Sequence, residues 1–203
     1  AWLASQPPQP ELSVIRSAAH QRVADEIAEA SITLVRDDMR LLPLRLTDKQ
    51  RIAVIVPRPL DLTPADTSSY VTPQLAEAFR EYYLQVDEFI ISSTPQTADI
   101  SALIERVREY NLIVIGTLNA YNQECQSTLV REVLKAGIPT VVVAMRLPYD
   151  LMAFPEAPTY LCTYSILEPS MRALAKTVFG HSEAKGRLPV AIPGLYEAGF
   201  HLP

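Results

Sequence analysis

NLIVIGTLNAYNQECQSTLVREVLKAGIPTVVVAMRLPYD, residues 111–150, reads as one strand, loop, helix, strand unit around which the rest of the chain is layered. Leu112 to Ile115 is an unbroken apolar run closed by Gly116, and Thr140 to Met145 is a second, β-branched one. Strands buried on both faces have this composition, because helices cover each side of a parallel sheet. Between them Leu129, Val130, Val133 and Leu134 recur at helical spacing. Gly137 is placed to end that helix in a left-handed turn, and Pro139 prevents its resumption. Two strands joined in this way form a right-handed parallel crossover. Polar residues gather after each strand, Thr117, Asn119, Tyr121, Asn122 and Gln123 after the first and Arg146, Tyr149 and Asp150 after the second. In an open parallel sheet these carboxyl ends are where ligands or partners meet the fold.

Working upstream, Arg51 to Val56 and Val86 to Ile91 read as two further central strands. A helix is expected from Thr72-Pro73 through Tyr83, with Leu75, Phe79 and Tyr82 inward, and another from Asp99 to Tyr110. The aromatic group Phe79, Tyr82, Tyr83 reads as core packing. An earlier helix is expected over Ser13 to Ala30, capped by Ser13, with Ile15, Ala19, Val23 and Ile27 as its buried stripe. Ser31 to Val35 is β-prone, and Asp37 and Asp38 suggest a turn before Leu41, Leu42 and Leu44. Pro43 makes that group an edge strand or an extended packing segment. Downstream, Thr159 to Tyr164 reads as a strand, Pro169 opens a last helix that Gly180 ends, and Lys185 to Gly194 is strand-like. The alternation gives an α/β fold, a three-layer αβα sandwich around a mostly parallel, flavodoxin-like sheet. Residues 13–203 form its one domain. Residues 1–12, with Pro7, Pro8 and Pro10, read as a stiff linker from an upstream domain.

Bulk properties narrow the function. The 203 residues are 48% hydrophobic, enough for one substantial core. The net charge of −5 with scattered basic residues lacks the footprint of a nucleic-acid binder. Cys125 and Cys162 have neither metal spacing nor the number for a disulfide framework, so both read as free and partly buried, and no metal is implied. No apolar run has the length of a membrane span, and the compartment stays open. The turn after Val56 is Pro57-Arg58-Pro59, without the glycines that let backbone N–H groups approach a pyrophosphate. With six glycines in all and neither phosphate-loop motif, no nucleotide cofactor is expected.

Four segments together resemble the C-terminal α/β domain of glycoside hydrolase family 3: ASITLVRDDMRLLPL (Ala30 to Leu44), AMRLPYDL (Ala144 to Leu151), YLCTYSILEPSMRALAKTVFG (Tyr160 to Gly180) and GRLPVAIPG (Gly186 to Gly194). The third segment and RLPYD are most similar to the β-N-acetylhexosaminidase branch. The resemblance implies a partner, an N-terminal (β/α)8 barrel carrying the aspartate nucleophile and a His-Asp acid/base, and an N-acetylated glycan at the shared cleft. Neither the KHFPGHG-like segment nor the nucleophile motif occurs in this sequence. The chain is therefore expected to be an accessory domain that hydrolyses nothing alone. The other reading is a stand-alone carbohydrate-binding or interaction domain. A domain made to pack on a barrel is also expected to expose an apolar patch and to dimerise when separated.

A retaining glycosidase needs two carboxyl groups about 5–5.5 Å apart. Glu124, Asp150 and Glu168 are the acidic residues near the ligand edge. In the family's β-glucosidase branch a C-terminal-domain glutamate reaches the barrel as general acid, which singles out Glu124. Its setting, NQECQS, departs from that branch, and a glutamate beginning a helix is ordinarily solvated and favoured by the helix dipole. Asp150 either orients a sugar hydroxyl or caps a turn and holds Arg146, and the structural role is preferred. Arg146 pairs with Asp150, binds the barrel or touches ligand, with the interdomain role ranked first. Asn119, Tyr121 and Gln123 suit sugar hydroxyls, an interface or a plain polar loop. Arg58, Tyr149 and Tyr164 complete the expected contact set. His20, His181 and His201 read as structural or solvated.

Overall fold

A computed structural model describes residues 10–202, so most of the expected linker lies outside the described residues. Five strands run parallel: β2 (Ile52–Pro57), β3 (Val86–Ile91), β4 (Leu112–Thr117), β5 (Thr140–Ala144) and β6 (Thr159–Cys162). Strand β1 (Thr33–Asp37) pairs antiparallel with β6, and the order is β1-β6-β5-β4-β2-β3. Among the described residues five helices complete the layers: α1 (Ala18–Ser31), α2 (Leu75–Arg80), α3 (Thr97–Val107), α4 (Glu124–Lys135) and α5 (Glu168–Val178).

Period-two alternation gives each sheet face its own core. From β2, Ile52, Val54 and Val56 pack with Leu75 and Phe79 of α2 and Met171, Leu174 and Val178 of α5. Ala53 and Ile55 pack on the other face with Ile100 and Leu103 of α3 and Val130 and Val133 of α4. The unit quoted first is β4, α4 and β5, in register from Ile113↔Thr140 to Thr117↔Ala144. Gly137 has φ 73° and Gly180 has φ 76°, the left-handed turns expected after α4 and α5. The strand after β2 lies on one side of it and β4 on the other, so the chain reverses its winding between β2 and β4. Ligands bind doubly wound sheets at that switch point.

Four expectations need correction. The first helix starts at Ala18, after a 3-10 turn over Leu12–Val14 and a left-handed Arg16 (φ 57°). Its cap is Ser17, whose side chain accepts from the His20 backbone N–H at 3.4 Å. The expected stripe faces out: Val23 is 53% exposed and Ile27 65%. Ala28 is the buried residue, flanked by half-buried Gln21, Ala24, Asp25 and Ser31. The helix packs on α5, tied by a Lys176–Glu29 ion pair, and small residues let two helix backbones approach closely.

The second helix is shorter than expected. It begins at Leu75, not at Pro73, and after Arg80 the Phe79 carbonyl takes both the Tyr82 and Tyr83 N–H groups in a tight final turn. Phe79 is buried, and Tyr82 and Tyr83 pack against the same core. Strand β3 is an edge strand, not a central one, which is why it tolerates half-buried Asp87 and Glu88. Lys185 to Gly194 forms no ladder, because Pro189 and Pro193 interrupt it. Its start at Gly186 and the chain's tail at Leu202 meet the free edge of β1 instead. The Gly186 N–H donates to Ile32 O at 2.9 Å and the Leu202 N–H to Leu34 O at 2.8 Å.

Candidate functional site

The loops after β4 and β5 are bound together by a buried carboxylate. After Thr117 the chain turns through Asn119, which is left-handed at φ 59°, into a 3-10 turn over Ala120–Asn122. After β5, a 3-10 turn over Pro148–Ala153 carries Asp150 inward. Asp150 is fully buried. It accepts from the Thr117 hydroxyl at 2.6 Å and from the Tyr121 backbone N–H at 3.1 Å. Burial pushes its pKa up, since the charged form loses water, and these donors offset part of the rise. Tyr160 of β6 steadies the same turn: its hydroxyl donates to Pro148 O at 3.1 Å and accepts from the Leu151 N–H at 3.2 Å.

Arg146 does not pair with Asp150, which corrects one of the alternatives. Its guanidinium turns toward the loop after β2, 3.5 Å from the Asp66 carboxylate and donating to Leu60 O at 3.4 Å. Asp66 also accepts from the Ser68 hydroxyl and the Ser68 and Leu62 N–H groups. The Ser68 hydroxyl contributes most to holding its pKa down to about 2. Asp61 in turn accepts from the Ser69 N–H and hydroxyl at 2.8 and 2.7 Å. An arginine on the β5 loop thus ties down a long β2 loop across β4.

Gln126 is a site residue that sequence reading passed over. It is buried in the first turns of α4. Its Oε1 accepts from the Leu118 N–H at 3.0 Å, and its Nε2 donates to Ser93 O at 3.2 Å and Gln123 Oε1 at 2.6 Å. One side chain therefore joins the carboxyl ends of β3 and β4. Its only signal in the sequence is an amide one helical turn beyond Gln123, beneath a polar loop.

The remaining expected residues separate into two groups. Tyr121 is 42% exposed and meets Tyr149 edge-on, with ring centroids 5.8 Å apart. Arg58 and Glu124 are exposed, and Gln123 is half-buried under the loop. Asn119 is buried, and its Oδ1 has no hydrogen-bond partner among the described residues. Tyr164 stands apart. It is left-handed at φ 57° and its hydroxyl donates to Thr33 Oγ1 at 2.9 Å, which turns it toward β1. Around the polar group the same edge carries exposed apolar side chains: Leu60, Leu62 and Tyr70 after β2, Leu147 and Met152 after β5, Leu167 after β6.

A concavity of about 820 Å³ lies elsewhere, between β1, the end of α5 and the tail. His181, Glu183, Lys185 and His201 line it, so two of the three histidines share a groove remote from the carboxyl-edge loops. The His181 ring lies tilted against Tyr82, centroids 4.7 Å apart. His20 is exposed on α1. Among the described residues, no three His, Cys, Asp or Glu side chains converge to hold a metal ion. Cys125 is half-buried, Cys162 buried, and both are free. No helix is long and apolar enough to cross a membrane among the described residues.

A doubly wound sheet whose carboxyl edge is rimmed with exposed apolar residues, around a turn closed by a buried aspartate, defines an α/β domain with one face prepared for contact. Residues 32–198 match the model of the glycosyl hydrolase family 3 C-terminal domain, and the chain belongs to that family. It is 25% identical to beta-hexosaminidase A of Pseudoalteromonas piscicida over 89% of its own length and 34% of that protein's. A fungal multi-domain family 3 β-N-acetylglucosaminidase superposes with a TM-score of 0.78 at 25% identity, covering 94% of this chain and 21% of that one. A family 3 β-N-acetylglucosaminidase from Paenibacillus sp. str. FPU-7 gives 0.78 at 22% identity over 94% and 36%. A β-glucosidase from Listeria innocua in complex with isofagomine shares the fold at 0.72, with 18% identity over 93% and 29%. The chain thus spans about a third of the curated relative it matches and a smaller or similar share of these solved chains.

Proposed function

We propose that this domain serves a β-N-acetylhexosaminidase-like hydrolase acting on terminal N-acetyl-β-hexosaminides, and that its carboxyl-edge loops wall the active site of an N-terminal (β/α)8 barrel. The observation that carries the reading is the rim of Leu60, Leu62, Tyr70, Tyr121, Leu147, Met152 and Leu167, exposed on the loops of a single sheet edge. Apolar surface concentrated at one end of a folded domain marks a contact face. Residues 1–12 are proposed to link the two domains. In this arrangement Tyr121 and Tyr149 face the cleft with Asn119 and Gln123 beneath them, and the fold-binding roles of Asp150 and Arg146 hold the loops in shape. The catalytic groups come from the barrel.

The test compares the 203-residue chain with the longer polypeptide expected from its gene, using release of chromophore from an N-acetyl-β-glucosaminide. The longer protein is expected to be active and the chain inert. Equal activity in both sinks the proposal. Kept apart from a barrel, the chain is expected to self-associate through the rim, and a sedimentation profile that stays monomeric at high concentration argues against the rim as a contact face.

A second reading, a stand-alone carbohydrate-binding domain, is favoured by the Tyr121–Tyr149 pair beside the unpartnered Asn119 Oδ1. It requires saturable binding of N-acetylated sugars by the chain itself. Calorimetry without heat across a glycan panel removes it.

A further inference from the structure

Helix α1 carries its larger apolar side chains on the wrong side for the domain it belongs to. Val23 and Ile27, one turn apart, are more than half exposed, and Ala19 and Ala30 share their exposed face. Ile15 and Leu12 extend the apolar surface ahead of the helix, exposed at 64% and 81%. The inward face is small or polar, with Ala28 its only fully buried residue. An amphipathic helix is held in place by burying its apolar stripe, so a helix with the stripe outward is built to be covered by something else.

The position of α1 in the family's domain scheme identifies the cover. The family model begins at residue 32, one residue beyond the end of α1, so the helix lies on the amino side of the family's domain. The relatives extend well beyond it, since the match takes in only 34% of the hexosaminidase and 36% of the Paenibacillus protein. We infer that α1 is a two-faced connector: its alanine face packs on α5, and its Val23–Ile27 face, with exposed Leu12 and Ile15 ahead of the helix, docks on the upstream domain of the same polypeptide. This rests on the proposal that such a domain exists, and adds a second contact remote in sequence from the carboxyl-edge loops. The two contacts together would fix the angle between the domains, where one alone leaves a hinge.

Thiol accessibility tests this without assuming the outcome. Single cysteines replace Val23, Ile27, Tyr121 or Leu84 in a background where exposed labelling is otherwise limited to half-buried Cys125. Maleimide labelling is then timed in the 203-residue chain and in the gene's longer product. Val23→Cys and Ile27→Cys are expected to label at least tenfold more slowly in the longer protein. Leu84→Cys, at an 83% exposed position between α2 and β3, is expected to label equally in both. Protection at Tyr121→Cys alone overturns the role of α1 and leaves the carboxyl-edge reading standing. Protection at neither, or the absence of an upstream domain in the gene, removes both. Concentration-dependent protection of Val23→Cys and Ile27→Cys in the 203-residue chain makes a second copy the occupant and overturns the inference.

Discussion

The hydroxyl of Thr117, the last residue of β4, donates to the carboxylate of Asp150 over 2.6 Å inside a site that water does not reach. This bond and the Tyr121 N–H on the other oxygen make Asp150 the anchor of the turn that presents Tyr121. Removing it takes the acceptor from the Tyr121 N–H and leaves the buried Thr117 hydroxyl only the longer 3.4 Å contact to Val143 O. Asp150→Ala is therefore expected to lower stability by roughly 2–4 kcal/mol, and Thr117→Val by about 1.5–3 kcal/mol. Their effects are expected to be non-additive, because both break the same contact. Burial raises the Asp150 pKa, so the folded domain keeps this proton to a higher pH than the unfolded chain. Its contribution to stability consequently falls as pH rises from the ordinary aspartate range through the raised value, and levels off above it. Urea titrations of wild type and Asp150→Ala at a series of pH values check both; a difference that grows with rising pH contradicts the assignment.

Asp66 shows the opposite sign. The Ser68 hydroxyl, the Leu62 N–H and Arg146 hold its pKa to about 2, so it stays ionised in the folded loop where the unfolded chain would be protonated. The stabilisation is present above the ordinary aspartate value of about 3.9 and is lost as pH falls from there through about 2. A carboxyl-carbon NMR titration is expected to give a midpoint near that value. Ser68→Ala should raise it more than Arg146→Gln, because the hydroxyl is the larger cause. The reverse ranking would make the ion pair, not the loop's own hydrogen bonds, the organiser of residues 60–70.

Much of this was legible in the sequence, and the parts that were not share a cause. The crossover from Asn111 to Asp150 was readable because apolar runs, Gly137 and Pro139 act locally. Strand β3 looked central because Phe89, Ile90 and Ile91 are as apolar as any buried strand; its edge position depends on winding order, and only Asp87-Glu88 hinted at it. At the site, the polar residues after β4 and β5 lie at the sheet's carboxyl edge as their positions in the sequence imply, but the Arg146–Asp150 pairing does not form. Asp150 and Arg146 are four residues apart and look like partners, but the backbone sends one inward and the other across β4 to Asp66. Gln126 has no distinctive sequence signal because a buried amide joining two loops has no pattern of its own. For α1 the periodicity was right and the direction was reversed, since hydrophobicity gives a face but not what covers it.

That reversal makes a direct prediction for the chain as it stands. Val23→Ser, on the outward face, is expected to change stability by less than about 0.5 kcal/mol. Ala28→Leu, on the smaller inward face, forces α1 off α5 and is expected to cost about 1–3 kcal/mol. Urea unfolding of both variants ranks them. A larger loss at Val23 would restore the face that the sequence pattern alone suggests.

The last prediction concerns β1, the edge strand opposite β3. Gly186 donates to Ile32 O at 2.9 Å, so close to β1 that a Cβ there would sit 2.1 Å from Ser31 O and 2.5 Å from Thr33 Oγ1. Both neighbours are held, the first by the end of α1 and the second by Tyr164. Gly186→Ala must therefore lift the tail from β1, which loosens the Leu202–Leu34 bond and bares the strand edge. A loss of roughly 2–3 kcal/mol is expected, on the scale of overpacking a rigid site. Gly194→Ala is the control. Its φ of 76° makes any side chain strained, but nothing lies within 4 Å, so only the conformational term of about 1–2 kcal/mol applies. Amide exchange distinguishes the two variants more sharply than stability does. Gly186→Ala is expected to expose the Leu202 amide and the outer edge of β1, and Gly194→Ala to leave both protected. Equal protection in the two variants would mean that the tail reaches β1 through other contacts and that Gly186 is merely adjacent to them.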